Sequence, residues 1–232
     1  MKLSTEKTPK QKLSKYSVDN VSAVNITHLS INDLREVAQA CDELNQQAGC
    51  NKAIPHVAAR NIQSEKELDN FVKFCKAKGI NKALVIGGSI ARNKTNIFQN
   101  DVAVATILKS ANIKVDCGIY PQNETELEIK TKLETFNNAM TQLCMDPNTI
   151  NNLPILDTIR IGIPSMCSVQ GIYKYLKLCG NESYKYIFKN WKALNYLSSD
   201  GFMVEEFIKK LKFSNYHIYN FGKLDKTISR LL

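Results

Sequence analysis

A carboxylate near the start of the chain is the first candidate for chemistry. Glu6 closes the short run Leu3–Glu6, whose alternation predicts a strand with Ser4 and Glu6 on one face. At a strand end, partial desolvation raises the pKa of such a carboxyl group and makes it a suitable general acid near neutral pH. The alternative is a solvated glutamate in a frayed terminus.

A histidine and a glutamine lie at the ends of two other predicted strands. His56 lies in the run Pro55–Arg60, and a single histidine in such a place is more often structural than catalytic. Gln142 ends the run Ala139–Gln142; its amide both donates and accepts, which suits a ring that presents N–H beside C=O, or else it bonds to loop backbone. The three histidines of the chain are far apart in sequence, so no metal ligands are assigned.

A glycine pair follows the apolar run Ala83–Ile86. Gly87 and Gly88 allow the backbone to approach a ligand closely, and Ser89 comes next. The pattern is not a GxGxxG dinucleotide fingerprint, so the pair indicates either a ligand contact or a tight turn.

Eight short β-rich runs, which alternate with helical patterns, must position these residues. The runs are Leu3–Glu6, Val21–Asn25, Ile54–Val57, Ala83–Ile86, Val115–Ile119, Ala139–Gln142, Thr158–Ile161 and Tyr216–Tyr219. Such alternation implies parallel strands with right-handed crossovers, and eight strands favour closure. We therefore predict an α/β fold of the (β/α)8 TIM-barrel type, with its active site at the carboxyl ends of the strands.

The barrel is predicted to be irregular at two places. Lys10–Asn20 is too short and polar for a full first helix, and residues 180–199 add an extra helical segment. The aromatic side chains of Tyr184–Tyr196 in that segment are either core or the subunit interface of a homo-oligomer. We predict that helices begin after Ser30, after Ser64 with Glu67 as its capping partner, and after Asn123 with Glu126 in the same role. We find no linker or repeat and predict one domain, residues 1–232.

The amino-acid composition favours a cytoplasmic protein over a nucleic-acid-binding, membrane-spanning or secreted one. The seven cysteines are scattered without a Cys-x-x-Cys pair, which is typical of reduced thiols in a cytoplasmic protein. The net charge of +9 is spread along the chain without an aromatic-interleaved basic motif, so a lysine-rich surface is favoured over nucleic-acid binding. No apolar run approaches the ~20 residues of a membrane span, and no secretory signal is evident.

Taken together, the motifs resemble one enzyme family over nearly the whole chain. They are Pro55–Arg60, Leu84–Gly88, Gly118–Pro121 and Tyr216–Phe221, with Met140–Asp146 similar to a T-Q-F-F-F-D pattern and Ser4–Lys10 to S-F-E-F-F-P-P-K. Their order and spacing resemble the methylenetetrahydrofolate reductases of the short bacterial type.

The resemblance implies an oxidoreductase of one-carbon metabolism and methionine biosynthesis. Such an enzyme interconverts 5,10-methylenetetrahydrofolate and 5-methyltetrahydrofolate, in free or polyglutamylated form, with NAD(P)H as co-substrate and FAD as cofactor. Glu6 aligns with the catalytic acid, and Gln142 with the pterin-binding glutamine, beside Thr141. The positions that align with flavin contacts are His56, Ile86, Gly87, Gly88, Ser89, Tyr120 and Lys132.

Several departures fall on the cofactor side. Ser89 replaces an aspartate, Gln122 and Glu124 stand where the family has E-x-H, and Glu128 and Thr131 replace polar or basic residues. One lost cation and one gained anion beside a diphosphate weaken FAD binding by ~1–3 kcal/mol. Three readings follow: an FAD-dependent reductase, a reductase that uses NAD(P)H without flavin, and a folate-binding protein without redox activity.

Overall fold

The computed structural model describes residues 1–88, 97–98, 100–154, 157–168, 170, 196–198 and 201–232. Eight strands form a closed barrel in which every neighbouring pair is parallel. They are β1 Lys2–Lys7, β2 Ala23–Ile26, β3 Ala53–Ala58, β4 Lys82–Ile86, β5 Lys114–Ile119, β6 Ala139–Thr141, β7 Ile159–Pro164 and β8 Asn215–Tyr219. Each predicted run coincides with one strand, and the (β/α)8 TIM barrel is confirmed.

Burial on both faces explains why these runs are strands. Every residue of β2 and of β3 is buried, as expected where helices cover the outside of a parallel barrel and side chains fill its inside. The ring closes where β1 pairs with β8, with Ser4 opposite His217. Closure therefore brings the first and last strands of the chain together.

The helices lie around the strands in alternation with them. Within the described residues the α-helices are α1 Lys15–Asp19, α2 Leu34–Ala48, α3 Glu65–Ala77, α4 Asp101–Ser110, α5 Glu126–Thr135, α6 Pro147–Asn151, α7 Val204–Ile208 and α8 Leu224–Leu231. The short first helix is confirmed by the five residues of α1. Within the described ranges, no helix has both the length and the apolar character needed to cross a bilayer.

Two of the three predicted helix starts were misplaced. Asp33, not Ser30, caps α2 by accepting from the Glu36 amide, and Thr125, not Asn123, caps α5. Thr125 and Glu128 form a reciprocal capping box, which satisfies two backbone donors at once and therefore sets where the helix begins. The start of α3 at Ser64 is confirmed.

Most of the extra segment predicted over 180–199, including Tyr184, lies outside the described residues. At its described end, Leu197–Ser198 is not helical but a short strand, which pairs antiparallel with Gly201–Phe202. This local correction has a packing reason, because the ladder places the Tyr196 ring against Phe207, with centroids 5.1 Å apart, and against Phe202.

The barrel interior changes from ionic to apolar along its axis. At the amino-terminal end of the strands, Asp116 accepts from Lys82 at 2.9 Å and from Asn138 at 2.8 Å, with Arg160 at 3.9 Å. Above it lies a small apolar layer formed by Ala23, Ile54, Leu84 and Met140. These layers fill the barrel below its carboxyl end, where the polar candidates are found.

Candidate active site

Glu6 and His217 meet at the barrel's closing seam. The carboxylate Oε2 of Glu6 lies 3.8 Å from Nε2 of His217. Glu6 is only 7% exposed and His217 is fully buried. The predicted acid is therefore a desolvated carboxylate on an inward-facing position of β1, not a solvated residue of a frayed terminus.

The other ring nitrogen of His217 has two polar neighbours. Its Nδ1 lies 3.1 Å from the Ser4 hydroxyl and 3.3 Å from the side-chain amide nitrogen of Asn25. Ser4 also donates to the Tyr216 carbonyl at 3.3 Å. Burial lowers the pKa of His217 to about 3, and the charge of Arg160 acts in the same direction. His217 is therefore a neutral imidazole at physiological pH.

His56 projects into the same part of the barrel from β3. Burial lowers its pKa to about 4; the nearby Glu6 carboxylate opposes this shift, while His217 and His28 add to it. Its Nε2 has no hydrogen-bond partner among the described residues, and neither has Oδ1 of Asn25. Buried polar atoms are rarely left unsatisfied, so these two atoms mark a place for a polar ligand or for water.

Gln142 and Thr141 are placed differently from each other. Gln142 follows β6 at the rim, half-buried, and its backbone donates to the Ile119 carbonyl at 2.7 Å. Thr141 is fully buried; its hydroxyl accepts from the Gly162 amide at 2.7 Å, and its carbonyl accepts from the Tyr219 hydroxyl at 2.9 Å. Thr141 thus stabilises the barrel wall beside the site, while Gln142 is the member of this pair at the rim.

The tight packing of Tyr219 requires Gly162. A Cβ at position 162 would lie 2.5 Å from the Tyr219 ring and 2.5 Å from the Thr141 carbonyl oxygen. The Tyr219 ring in turn lies edge-on to His217, with centroids 5.0 Å apart. Gly162 therefore allows an aromatic wall to form beside the histidine.

The glycine pair after β4 packs against the chain itself. The Gly87 carbonyl accepts from the backbone amide and from Nε of Arg60, both at 3.0 Å. A Cβ at Gly87 would lie 2.9 Å from the Arg60 guanidinium, and one at Gly88, where φ is +77°, would lie 2.9 Å from Ala58. The preceding Ile86 is half-buried against the apolar layer, and Ser89 lies outside the described residues.

Lys132 is already paired on the other side of the rim. Its ammonium group forms an ion pair with Glu124, donates to the Gly118 carbonyl at 3.3 Å and lies 6.0 Å from the ring centre of Tyr120, which is 44% exposed. The adjoining depression, about 360 Å³, is lined by the carboxylates of Glu124 and Glu126 and by no basic side chain among its described lining residues.

The sequence did not single out His217 or Ser4 as site residues. The alternation of side chains along the strands could have found them. Ser4 and Glu6 share one face of β1, and His217 and Tyr219 share one face of β8. Closure of the barrel makes these two strands neighbours. In the part of the chain that the structure describes, no group of three or more His, Cys, Asp or Glu side chains is arranged to hold a metal ion.

Comparison with known proteins identifies the fold. No protein-family model matches the chain, and no curated protein matches it. Among solved structures, a 2,3-dimethylmalate lyase of the PEP mutase/isocitrate lyase superfamily has a TM-score of 0.54 at 8% identity, covering 99% of this chain and 78% of its own.

Two further structures are similar to the same degree. An oxaloacetate acetylhydrolase has a TM-score of 0.54 at 8% identity, with 99% and 78% covered. A GH18 chitinase from Pseudoalteromonas aurantia has a TM-score of 0.52 at 10% identity, with both chains fully covered. At such low identity the likeness concerns the fold alone: the chain is a TIM barrel, whose active sites lie at the carboxyl ends of the strands.

Proposed function

We propose that this protein is an oxidoreductase that interconverts 5,10-methylenetetrahydrofolate and 5-methyltetrahydrofolate with NAD(P)H. The observation that carries the proposal is the buried Glu6 carboxylate, which lies in contact with His217 at the mouth of the barrel. The motif resemblance names the reaction, and the surroundings of Glu6 are those that such an acid needs. A TIM barrel hosts many chemistries, so the fold alone does not name the reaction.

In this reaction Glu6 supplies the proton that opens the five-membered ring of the substrate. The proton goes from the carboxyl group to N10 of the folate, the bond from N10 to the methylene carbon breaks, and an iminium forms at N5. Hydride from the reduced nicotinamide then reaches the methylene carbon and yields the N5-methyl group. One proton and one hydride are consumed for each methyl group formed.

Polar atoms at the site offer contacts to the pterin. Gln142 at the rim has the donor and acceptor pair that matches the N–H and C=O edge of the ring. Further inside, Nε2 of His56 and Oδ1 of Asn25 lack partners among the described residues. We expect the ligand to complete these hydrogen bonds, since unsatisfied buried groups cost about 1–3 kcal/mol each.

The cofactor side favours direct hydride transfer over a bound flavin. Lys132, which aligns with a flavin contact, is neutralised by Glu124, and Glu128 is engaged in capping α5. Gly87 and Gly88 are covered by Arg60 and Ala58. These residues do not fit the diphosphate of FAD, so we propose the flavin-independent form of the reaction.

One enzyme assay separates the three readings. The purified protein should be colourless and should oxidise NADH or NADPH only when methylenetetrahydrofolate is present. Glu6→Gln should lower turnover by at least about a hundredfold, the usual contribution of a general acid, while reduced folate still binds. Glu134→Gln, at an exposed position of α5, is the matched control and should leave turnover unchanged.

Other outcomes would identify the alternatives. A yellow protein that loses activity when its flavin is removed would be the FAD-dependent enzyme. Folate binding without NAD(P)H oxidation would indicate a non-redox binding protein. Failure to bind any reduced folate would contradict every folate-based reading.

A further inference from the structure

We propose that His217 is a positioning residue that matches both protonation states of Glu6 by exchanging the tautomers of its ring. Ser4 and Asn25, on either side of the other ring nitrogen, are the groups that permit each tautomer. The proposal gains its catalytic meaning from the proposed function. The tautomer exchange itself is a property of the protein without substrate.

The first arrangement suits an ionised Glu6. The carboxylate then faces Nε2–H of His217 across 3.8 Å, which is longer than a hydrogen bond, and its negative charge favours a proton on this nitrogen. Nδ1 becomes the acceptor, and the side-chain amide of Asn25 donates to it at 3.3 Å. The Met140 sulfur accepts from the same amide at 3.5 Å, which keeps the donor of Asn25 turned toward the histidine.

The second arrangement suits a protonated Glu6. The neutral carboxyl group no longer favours a proton on Nε2, and the ring proton moves to Nδ1, where the Ser4 hydroxyl at 3.1 Å accepts from it. Ser4 in turn donates a hydrogen bond to the Tyr216 carbonyl at 3.3 Å.

The numbers of protons that Glu6 and His217 hold together in the two states differ by one. A protonated Glu6 with Nδ1–H holds two protons, and an ionised Glu6 with Nε2–H holds one. The difference is the proton that Glu6 gives to the substrate, and the ring keeps one proton in both states. An imidazolium is disfavoured because His217 is fully buried. Among the described residues, His56 interacts electrostatically with both Glu6 and His217, and the charge of Arg160 acts on His217.

The tautomers can be observed directly in the ligand-free wild-type protein. When histidine is labelled with ¹⁵N, the three histidines give only six ring-nitrogen signals to assign, and the shifts of Nδ1 and Nε2 report which nitrogen carries the proton. As the pH rises through the titration of the Glu6 carboxyl group, His217 should stay neutral and should change from Nδ1–H to Nε2–H at the midpoint of that titration. In Glu6→Gln the change should vanish, and the pKa of His56 should fall further because the Glu6 carboxylate no longer raises it.

Two variants should move the Glu6 midpoint in opposite directions. Ser4→Ala removes the acceptor needed by the protonated state, so the midpoint should fall by about one pH unit. Asn25→Ala removes the donor needed by the ionised state, so the midpoint should rise by a similar amount. Ser4→Thr keeps the hydroxyl and should restore the wild-type value.

A single His217 tautomer at all pH values, or a charged imidazolium in that range, would overturn the proposal. Shifts of the same sign in both variants would also overturn it, because a purely structural role has no reason to produce opposite shifts. These measurements need neither folate nor NAD(P)H. A protein that shows the exchange but binds no folate would refute the proposed function and leave this inference standing.

Discussion

Ser4 and His217 are register partners on the first and last strands of the barrel, and the Ser4 hydroxyl lies 3.1 Å from Nδ1 of His217. The opposite ring nitrogen faces Glu6, so one imidazole connects the seam of the barrel to the candidate acid. The arrangement resembles the general pattern in which a third group orients a histidine that contacts a reactive residue.

Acid should destabilise the protein through its buried histidines. In the folded state the pKa of His56 is about 4 and that of His217 about 3, against the ordinary histidine value of 6.5. Both groups bind protons more readily when unfolded, so the stability they contribute is present above pH 6.5 and is lost as the pH falls toward the folded values. Each contributes a slope of up to about 1.4 kcal/mol per pH unit in that window.

Urea unfolding at a series of pH values measures this slope. His56→Gln should flatten the dependence between roughly pH 6.5 and pH 4. An unchanged slope in that variant would mean that His56 is charged in the folded protein.

Gly162→Ala should destabilise the barrel. Its Cβ would lie 2.5 Å from both the Thr141 carbonyl and the Tyr219 ring, and such overpacking typically costs about 1–3 kcal/mol. Gly118→Ala is the matched control, because its Cβ would meet Ile86 at an ordinary 3.4 Å. Equal free energies of unfolding for the two variants would contradict this account of Gly162.

Glu124→Gln should improve the binding of FAD. The substitution frees the Lys132 ammonium and removes an anion from the rim, which together should raise the affinity by about tenfold in a fluorescence titration. Glu126→Gln removes a carboxylate from the same depression but one that pairs with exposed Lys130, and it should have a smaller effect. Tight FAD binding by the wild-type protein would contradict the proposal that the residues around Lys132 do not fit the diphosphate of FAD.

Asp116→Asn should cost about 1–3 kcal/mol of stability, because Lys82 and Arg160 would lose the carboxylate between them. Their side chains are 23% and 25% exposed, so solvent screening keeps the loss below that of a fully buried pair. The same measurement on Glu126→Gln, which breaks an exposed pair with Lys130, should show less than about 0.5 kcal/mol.

Local pattern predicted the strands well, because parallel barrel strands are short apolar runs bounded by breaks. It also placed Glu6, His56 and Gln142 at strand ends, since those positions follow from the runs themselves. Helix starts were less accurate, as at α5, where the capping box of Thr125 and Glu128 competes with a nearby similar pattern.

Long-range pairing could not be predicted in the same way. The contact of His217 with Glu6 depends on closure of the ring, and the capture of Lys132 by Glu124 depends on how the loop after β5 folds back on α5. The packing of Arg60 against Gly87 is of the same kind. In each case the residue types were visible, but their partners were set by tertiary structure.

The seam between β1 and β8 also has a consequence for how the protein matures. Ser4 and His217 are 213 residues apart, so the neighbourhood of the candidate acid does not exist until the segment that contains His217 has left the ribosome. Contacts of such high sequence separation form late and slowly in folding. A nascent or partly folded chain therefore carries an ordinary solvated glutamate, and the reactive centre arises only with the last strand.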